Sequence, residues 1–455
     1  MQRFWNILTG ISLVAGWGVI ALLGQATPVQ AQAAGQAAAQ GQPAAAGQAA
    51  AQGQPAKKVK DQGEWDLFNA VTKATDPNEK LKLLSTWKEK YPASDYKDDR
   101  LVFIIQSSAQ VGKYQEAISA GKELLAIDAK NITAMFYINN LTPVAYPANA
   151  PADALDTAEK AANGLLAAEA PAGTKPEDWA KAKATFDAAA QKTLGWVAWQ
   201  RKNYDVAEQT FAKSLQGNPN QGEVSYWMGS ALLQSRKPDK QAPALYAFAR
   251  AVELDAAQGG LPDATRKQLD AYLTKTYNTY HGSSEGLDQL KAQAKASPVP
   301  PAGFSIKTGA EIANDKEEEF KKANPSLALW MGLKKELQAA NGEQFFESTM
   351  KNANVPGGAG GINMLRGHLI SAKPAVASKE LVIGVEKSDV AEVTLKLENP
   401  VKGKPVIGSE VDFEGVPVTF AKEPFMLTFE PAKVSGLKTE APPAPVRKKA
   451  VAKKK

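Results

Sequence analysis

The sequence predicts a mainly α chain: a stack of helix pairs followed by a small antiparallel β-barrel. Three observations predict it. From Glu64 to about residue 296 the apolar residues recur at helical spacing in paired segments separated by short breaks. Two Gly/Pro-rich stretches, SPVPPAG at 297–303 and VPGGAGG at 355–361, then interrupt the pattern. After the second, the apolar period changes to two, with Val393, Leu395 and Leu397 alternating with Thr394, Lys396 and Glu398.

The first 31 residues read as an export signal. Arg3 is the only early charge, residues 10–24 are apolar apart from Ser12, and Val29 and Ala31 stand at the small-residue positions before a cleavage point. The alternative is an uncleaved anchor over residues 4–24, near the roughly 20 residues that span a bilayer. Residues 32–62 form a low-complexity linker of mostly Ala, Gln, Gly and Pro, with GQAAAQGQPA occurring twice. Such a segment lacks the large apolar groups that would offset its ordering entropy, so it is expected to be disordered.

The helix pairs occupy 63–260. Asp76 followed by Pro77 is an N-cap with proline at the first helical position. The segment KTLGWVAWQRKNYDVAEQTFAKSLQGNP, within a unit at 188–221, carries Leu194, Gly195, Tyr204, Ala207, Phe211 and Pro219. This spacing resembles the 34-residue tetratricopeptide (TPR) repeat. A unit from 222 matches it with Gly229, Ala244, Phe248 and Ala251, RKPDKQAP absorbing a three-residue insertion. Earlier units are less regular. The one at 98–131 has Ile105 where the family prefers a small residue, and the one at 132–170 is interrupted by TPVAYPANAPAD. Residues 261–296 supply two helices that cap the array, as solenoid ends require.

A linker with a short charged helix is expected at 297–325 and a helical segment at 326–355. Residues 362–437 then hold six short strands, at 364–372, 380–387, 393–397, 411–414, 416–421 and 425–430, which suggest a small antiparallel barrel or sandwich. Their pattern resembles an OB-fold of the tRNA-anti-like kind. Residues 438–455 form a basic, disordered tail.

Charge and composition narrow the function. The net charge is +6, and Leu437–Lys455 alone carries seven Lys/Arg against one acid. The rest of the chain therefore sums to zero, which argues against a nucleic-acid-binding face on the folded part. The tail is suited to an anionic envelope surface, or it is a solubilising tail without a partner. No cysteine is present, which excludes disulfides and thiolate chemistry. Neither histidine suggests catalysis: His281 stands before Gly282 at a helix C-terminus, and His368 lies opposite the Leu365/Leu369 face of a strand. The run Gly357, Gly358, Gly360, Gly361 lacks the Lys-Ser/Thr of a phosphate loop and precedes a strand, so it reads as a hinge. Glu317–Glu319 precede Lys321 and Lys322, which suits a solvated helix face. No catalytic residue, cofactor or metal is expected.

The TPR resemblance implies a binding surface. In the family the first helix of each unit lines a concave groove. By that mapping Lys192, Trp196, Trp199 and Gln200 face the groove, followed one repeat later by Tyr226, Ser230 and Gln234. Residues 191, 194, 195 and 198 would pack inward. Trp196 and Trp199 are either partner anchors or packing between repeats. The expected function is a non-catalytic exported scaffold holding a peptide or protein partner in cell-envelope organisation. The alternative is binding of nucleic acid or another polyanion through the OB-like domain and the tail, with Phe413, Phe420, Phe425 and Phe429 as candidate stacking rings.

Overall fold

The structure is a computed structural model and is described over residues 57–440. The expected export segment, the linker up to residue 56 and the tail from residue 441 lie outside the described residues. The chain divides into two compact units, one ending at Gly309 and one starting at Ala310.

Among its described residues the first unit contains twelve α-helices: α1 (Gln62–Lys73), α2 (Pro77–Lys90), α3 (Lys97–Gln110), α4 (Tyr114–Ile127), α5 (Ile132–Ala145), α6 (Ala152–Leu166), α7 (Pro176–Gln200), α8 (Tyr204–Gly217), α9 (Gly222–Gln234), α10 (Gln241–Glu253), α11 (Asp263–His281) and α12 (Leu287–Ala296). Local chemistry places their ends. Asp61 caps α1 by accepting from the Glu64 amide, and Asp76 caps α2 by accepting from the amides of Asn78 and Glu79, with Pro77 at the start. These bonds satisfy amides that a helix start otherwise leaves without a partner. Gly282 ends α11 at φ 88°, a conformation glycine adopts without penalty. The helices pair as TPR-like units, α7 packing on α8 and α9 on α10. The small residues lie where the rings need them: a Cβ on Gly195 would meet the Phe211 ring at 2.5 Å, and one on Gly229 would meet Phe248 at 2.8 Å.

Hydrogen bonds between successive first helices measure the register of the stack. From α7 to α9, Lys192 reaches Glu223 and Trp199 reaches Gln234, offsets of 31 and 35 residues. These bracket the 34-residue repeat. From α5 to α7, Asn139 donates to the Ala189 carbonyl and Thr193 donates back to the Asn139 carbonyl, offsets of 50 and 54 residues. The surplus over one repeat is the proline-rich connection 146–151, the long connection 167–175 and the extra turns at the start of α7.

At the other end α12 folds back onto α10. Tyr246 donates to the carbonyls of Gln293 and Ser297, and Arg250 donates to those of Ala294 and Lys295. Arg250 thereby satisfies the Ala294 and Lys295 carbonyls, which stand in the last turn of α12 and lack partners within their own helix.

In the second unit α13 (Gly309–Ala323) and α14 (Pro325–Gln338) precede a short helix α15 (Gly342–Phe345) that continues as a π-type turn to Met350. Strands follow: β1 (Leu365–Lys373), β2 (Glu380–Gly384), β3 (Val393–Leu397), β4 (Lys404–Pro405), β5 (Glu410–Lys422), β6 (Phe425–Ser435) and β7 (Thr439–Glu440). Five of them close into a barrel in the order β1-β2-β3-β6-β5, while β4 and β7 pair separately. The five-stranded closed barrel agrees with the OB-like expectation. Two details correct it. The barrel is not wholly antiparallel, because β6 runs parallel to β3. The chain crosses one barrel end after β3, so the last strand returns beside it in the same direction. The strands expected at 411–414 and 416–421 are one strand, because Gly415–Pro417 is a bulge in β5 and not a turn.

The helical segment expected at 326–355 supplies core. Trp330 and Leu337 are fully buried, and Phe346 and Met350 nearly so, in one cluster with the inward residues of all five barrel strands. Trp330 meets the Phe425 ring edge-on at 5.9 Å, and Phe346 meets Phe420 at 5.0 Å. Lys422 donates to the Ala339 carbonyl. Helix α14 therefore plugs the barrel end at which β5 finishes and β6 begins.

Candidate partner-binding face

The α7 and α9 faces meet along the line that the repeat spacing drew. Lys192 pairs with Glu223 at 2.6 Å, both about one-fifth exposed, and its ammonium lies 5.1 Å from the centre of the Trp227 ring. A cation over an indole face adds attraction beyond the ion pair. At the far end of α7, the Trp199 indole donates to the Gln234 side chain at 3.1 Å. Between them Ser230 donates to the Tyr226 carbonyl one turn back on α9. Lys192, Gln200, Tyr226 and Ser230 are half-buried, and Gln234 is exposed. Burial pushes the Tyr226 hydroxyl above its ordinary value, so this phenol carries no charge near neutrality.

The two tryptophans do not behave as anchors. Trp196 is 1% exposed and Trp199 is 5% exposed. They belong to a cluster joining α6 to α10, edged by Tyr146, Ala150 and Val299. This corrects the groove assignment in favour of packing between repeats. The reason is the number of neighbours around α7. It packs against α5, α6, α8 and α9, so the arc one residue beyond Gly195 is covered as well. Of the inward set, Gly195 and Ala198 are buried, whereas Gln191 and Leu194 are half-buried. Glu223 and Trp227, which hold Lys192, were not singled out from the sequence. The signal lay about one repeat from Lys192, displaced by one helical turn.

Candidate chemical groups elsewhere are engaged in structure. His281 uses Nδ1 on the Lys307 carbonyl at 2.8 Å. His368 lies on the outer face of β1 with Nε2 3.9 Å from Glu410. Gly357, Gly358, Gly360 and Gly361 all have positive φ, and the single 3-10 turn at Ala359–Gly361 leads into β1, with no α-helix starting there. Lys321 pairs with Glu317 and Glu318 on an exposed face of α13. Two carboxylate pairs share a lysine. Asp98 and Asp99 both take Lys57, and burial pushes the Asp99 carboxyl above its ordinary value against the pull of that ammonium. In the barrel, Lys334 takes Glu392 at 2.5 Å and Glu386 at 3.0 Å. Burial opposes its charge, yet these carboxylates hold Lys334 above its ordinary value. Glu392 is 2% exposed, and its second oxygen accepts from the amides of Val385 and Glu386. A carboxylate with its acceptors filled in this way fastens α14 to the barrel.

A cavity of about 590 Å³ lies beside Tyr246, Gln293, Ser297, Phe304 and Ser305, and no carboxylate, lysine or histidine lines it. Among the described residues no group of three acids or histidines is placed to hold a metal, and no helix is long and apolar enough to cross a membrane. The rings considered for base stacking lie inward: Phe413 and Phe429 are fully buried and Phe425 is 8% exposed, while Phe420 packs on Phe346.

No family model and no curated protein matches the chain. Among solved structures it is similar to TTC0263, a thermophilic TPR protein of Thermus thermophilus, at 16% identity and a TM-score of 0.27, over 47% of this chain and 97% of that one. It is also similar to PilF of Pseudomonas aeruginosa, at 17% identity and a TM-score of 0.31, over 58% of this chain and 94% of that one.

Proposed function

We propose that the protein is a non-catalytic scaffold of the cell envelope that docks a peptide or protein segment on the α7/α9 face. The observation that carries this reading is the paired helix face itself. Two first helices in repeat register present Lys192, Gln200, Tyr226, Ser230 and Gln234 as donors and acceptors at helical spacing, on a support made rigid by buried tryptophans. Specificity would come from these polar groups and the Tyr226 ring, because the tryptophans have no area to give. Export follows from the reading of residues 1–31, with an inner-membrane anchor at residues 4–24 as the other form of the same placement. The basic stretch would hold the chain near an anionic envelope surface.

The test compares partners captured from an envelope extract by the intact chain and by two variants. Gln200→Arg/Gln234→Glu adds charge to the α7/α9 face and keeps an acceptor for the Trp199 indole. Val206→Arg does so on α8, where Val206 is 46% exposed. The first variant is expected to lose the partner and the second to keep it, with unchanged thermal melting for both. Equal capture by both variants would sink the assignment of this face.

A further inference from the structure

One end of the barrel is plugged by α14. The other gathers three segments: 374–379, 398–409 and 436–440. Backbone bonds hold them together, from Ala377 to Gly403, from Val401 to Ser378, from Leu397 to Lys379 and from Val406 to Lys438. Two large apolar side chains stand out at this end, Val376 at 50% and Ile407 at 58% exposed. In or directly beside these segments stand five lysines, Lys373, Lys379, Lys402, Lys404 and Lys438, against four carboxylates, Glu380, Glu398, Glu410 and Glu440. Glu380 faces Lys373 at 3.9 Å and Glu440 faces Lys404 at 3.2 Å. Lys379, Lys402 and Lys438 have no ion-pair partner among the described residues. The described chain leaves the barrel here at Glu440, and residues 441–455 add six cations and no acid.

We propose that this end of the barrel is a docking surface for an anionic lipid bilayer, with Val376 and Ile407 entering the interface and the lysines meeting headgroup phosphates and carboxylates. The proposal rests on the charge reading of the basic stretch and extends it to a folded surface. It does not depend on the α7/α9 face. Charge complementarity selects an anionic partner. The apolar tips select a bilayer over a nucleic acid, since aliphatic side chains insert below headgroups, whereas strand binding needs aromatic platforms. No aromatic residue occurs in the three segments, and Phe413 and Phe429 point into the barrel.

The experiment is co-sedimentation of the full chain with vesicles of phosphatidylcholine alone and of phosphatidylcholine mixed with phosphatidylserine. The readout is the difference between the two, because the apolar N-terminal residues contribute to both. The intact chain is expected to prefer the anionic vesicles, and to lose that preference as salt shortens the screening length to about 8 Å. Lys379→Ala/Lys402→Ala is expected to weaken anionic binding by about five-fold per lysine. Val376→Ser/Ile407→Ser is expected to weaken it as well, with unchanged melting for both pairs. Removal of 441–455 is expected to leave a residual preference that the lysine pair abolishes. If that removal erases the whole preference and the loop variants change nothing, the barrel surface is refuted while the charge reading of the stretch stands. No preference in the intact chain refutes both. Displacement from anionic vesicles by single-stranded oligonucleotide, lost in Lys379→Ala/Lys402→Ala, assigns the surface to nucleic acid and overturns the proposal.

Discussion

The helical unit and the barrel bury comparable rings by different routes. Phe211 and Phe248 each pack against a glycine on the preceding helix, so the contact is complete within one helix pair. Phe429 on β6 meets Phe413 on the neighbouring β5, and both share a cluster with Trp330, far earlier in the chain, and with residues of β1, β2 and β3. A stack of helix pairs gathers its stability from each unit and its neighbours. A closed barrel gains little until β1 has met β5 and β6 has met β3. The same chemical injury should therefore stay local in the first unit and spread through the whole of the second.

The largest test of this difference is Phe429→Ala. Truncating a fully buried ring costs about 3–5 kcal/mol, read as a lowered unfolding midpoint. The cost should be delocalised: amide exchange in β1, β2 and β3 should quicken together with β5 and β6, although the lost ring belongs to β6 alone. Protection surviving in β1 and β2 would mean that the barrel opens strand by strand, and the contrast with the helical unit would fail.

Gly195→Ala is the matching injury in the helical unit. The added methyl lies 2.5 Å from the Phe211 ring, an overpacking that costs about 1–3 kcal/mol. Alanine recovers up to ~1 kcal/mol of helix propensity, leaving a net loss of roughly 1 kcal/mol. Exchange should quicken in α7 to α10 and fade towards α1 and α2. Uniform loss across all twelve helices would show that the array melts as one body.

The two regions also differed in how much of them the residues announced. Repeat chemistry is local, so Gly195, Tyr204, Ala207 and Phe211 were enough to place α7 and α8, and Asp76–Pro77 to start α2. Strand alternation at 393–397 placed β3, but a period of two has no direction, so the parallel pairing with β6 was invisible. Gly415–Pro417 has the composition of a turn, and only the partner strand makes it a bulge. The apolar stripe of α14 does not say which core receives it. Glu392 reads as a surface acid until Lys334, 58 residues away, is beside it. The Trp196 and Trp199 face failed for a related reason: a helix shows which residues share an arc, but not how many neighbours close over it.

The smallest effect separates the packing role of glycine from its backbone cost. Gly332 sits within α14 on an exposed face, and a Cβ there would meet nothing within 4 Å. Glycine in such a position spends backbone entropy without gaining a close approach. Gly332→Ala should therefore stabilise the barrel unit by about 0.4–1 kcal/mol, measured by denaturant unfolding with an unchanged m-value. The identical substitution at Gly195 carries the opposite sign because Phe211 occupies the space its methyl needs. If Gly332→Ala destabilised the protein, that face of α14 would be covered in solution by something outside the described residues. A gain at Gly195 would mean that Phe211 yields without cost, and the glycine–ring contact would no longer explain the register of the stack.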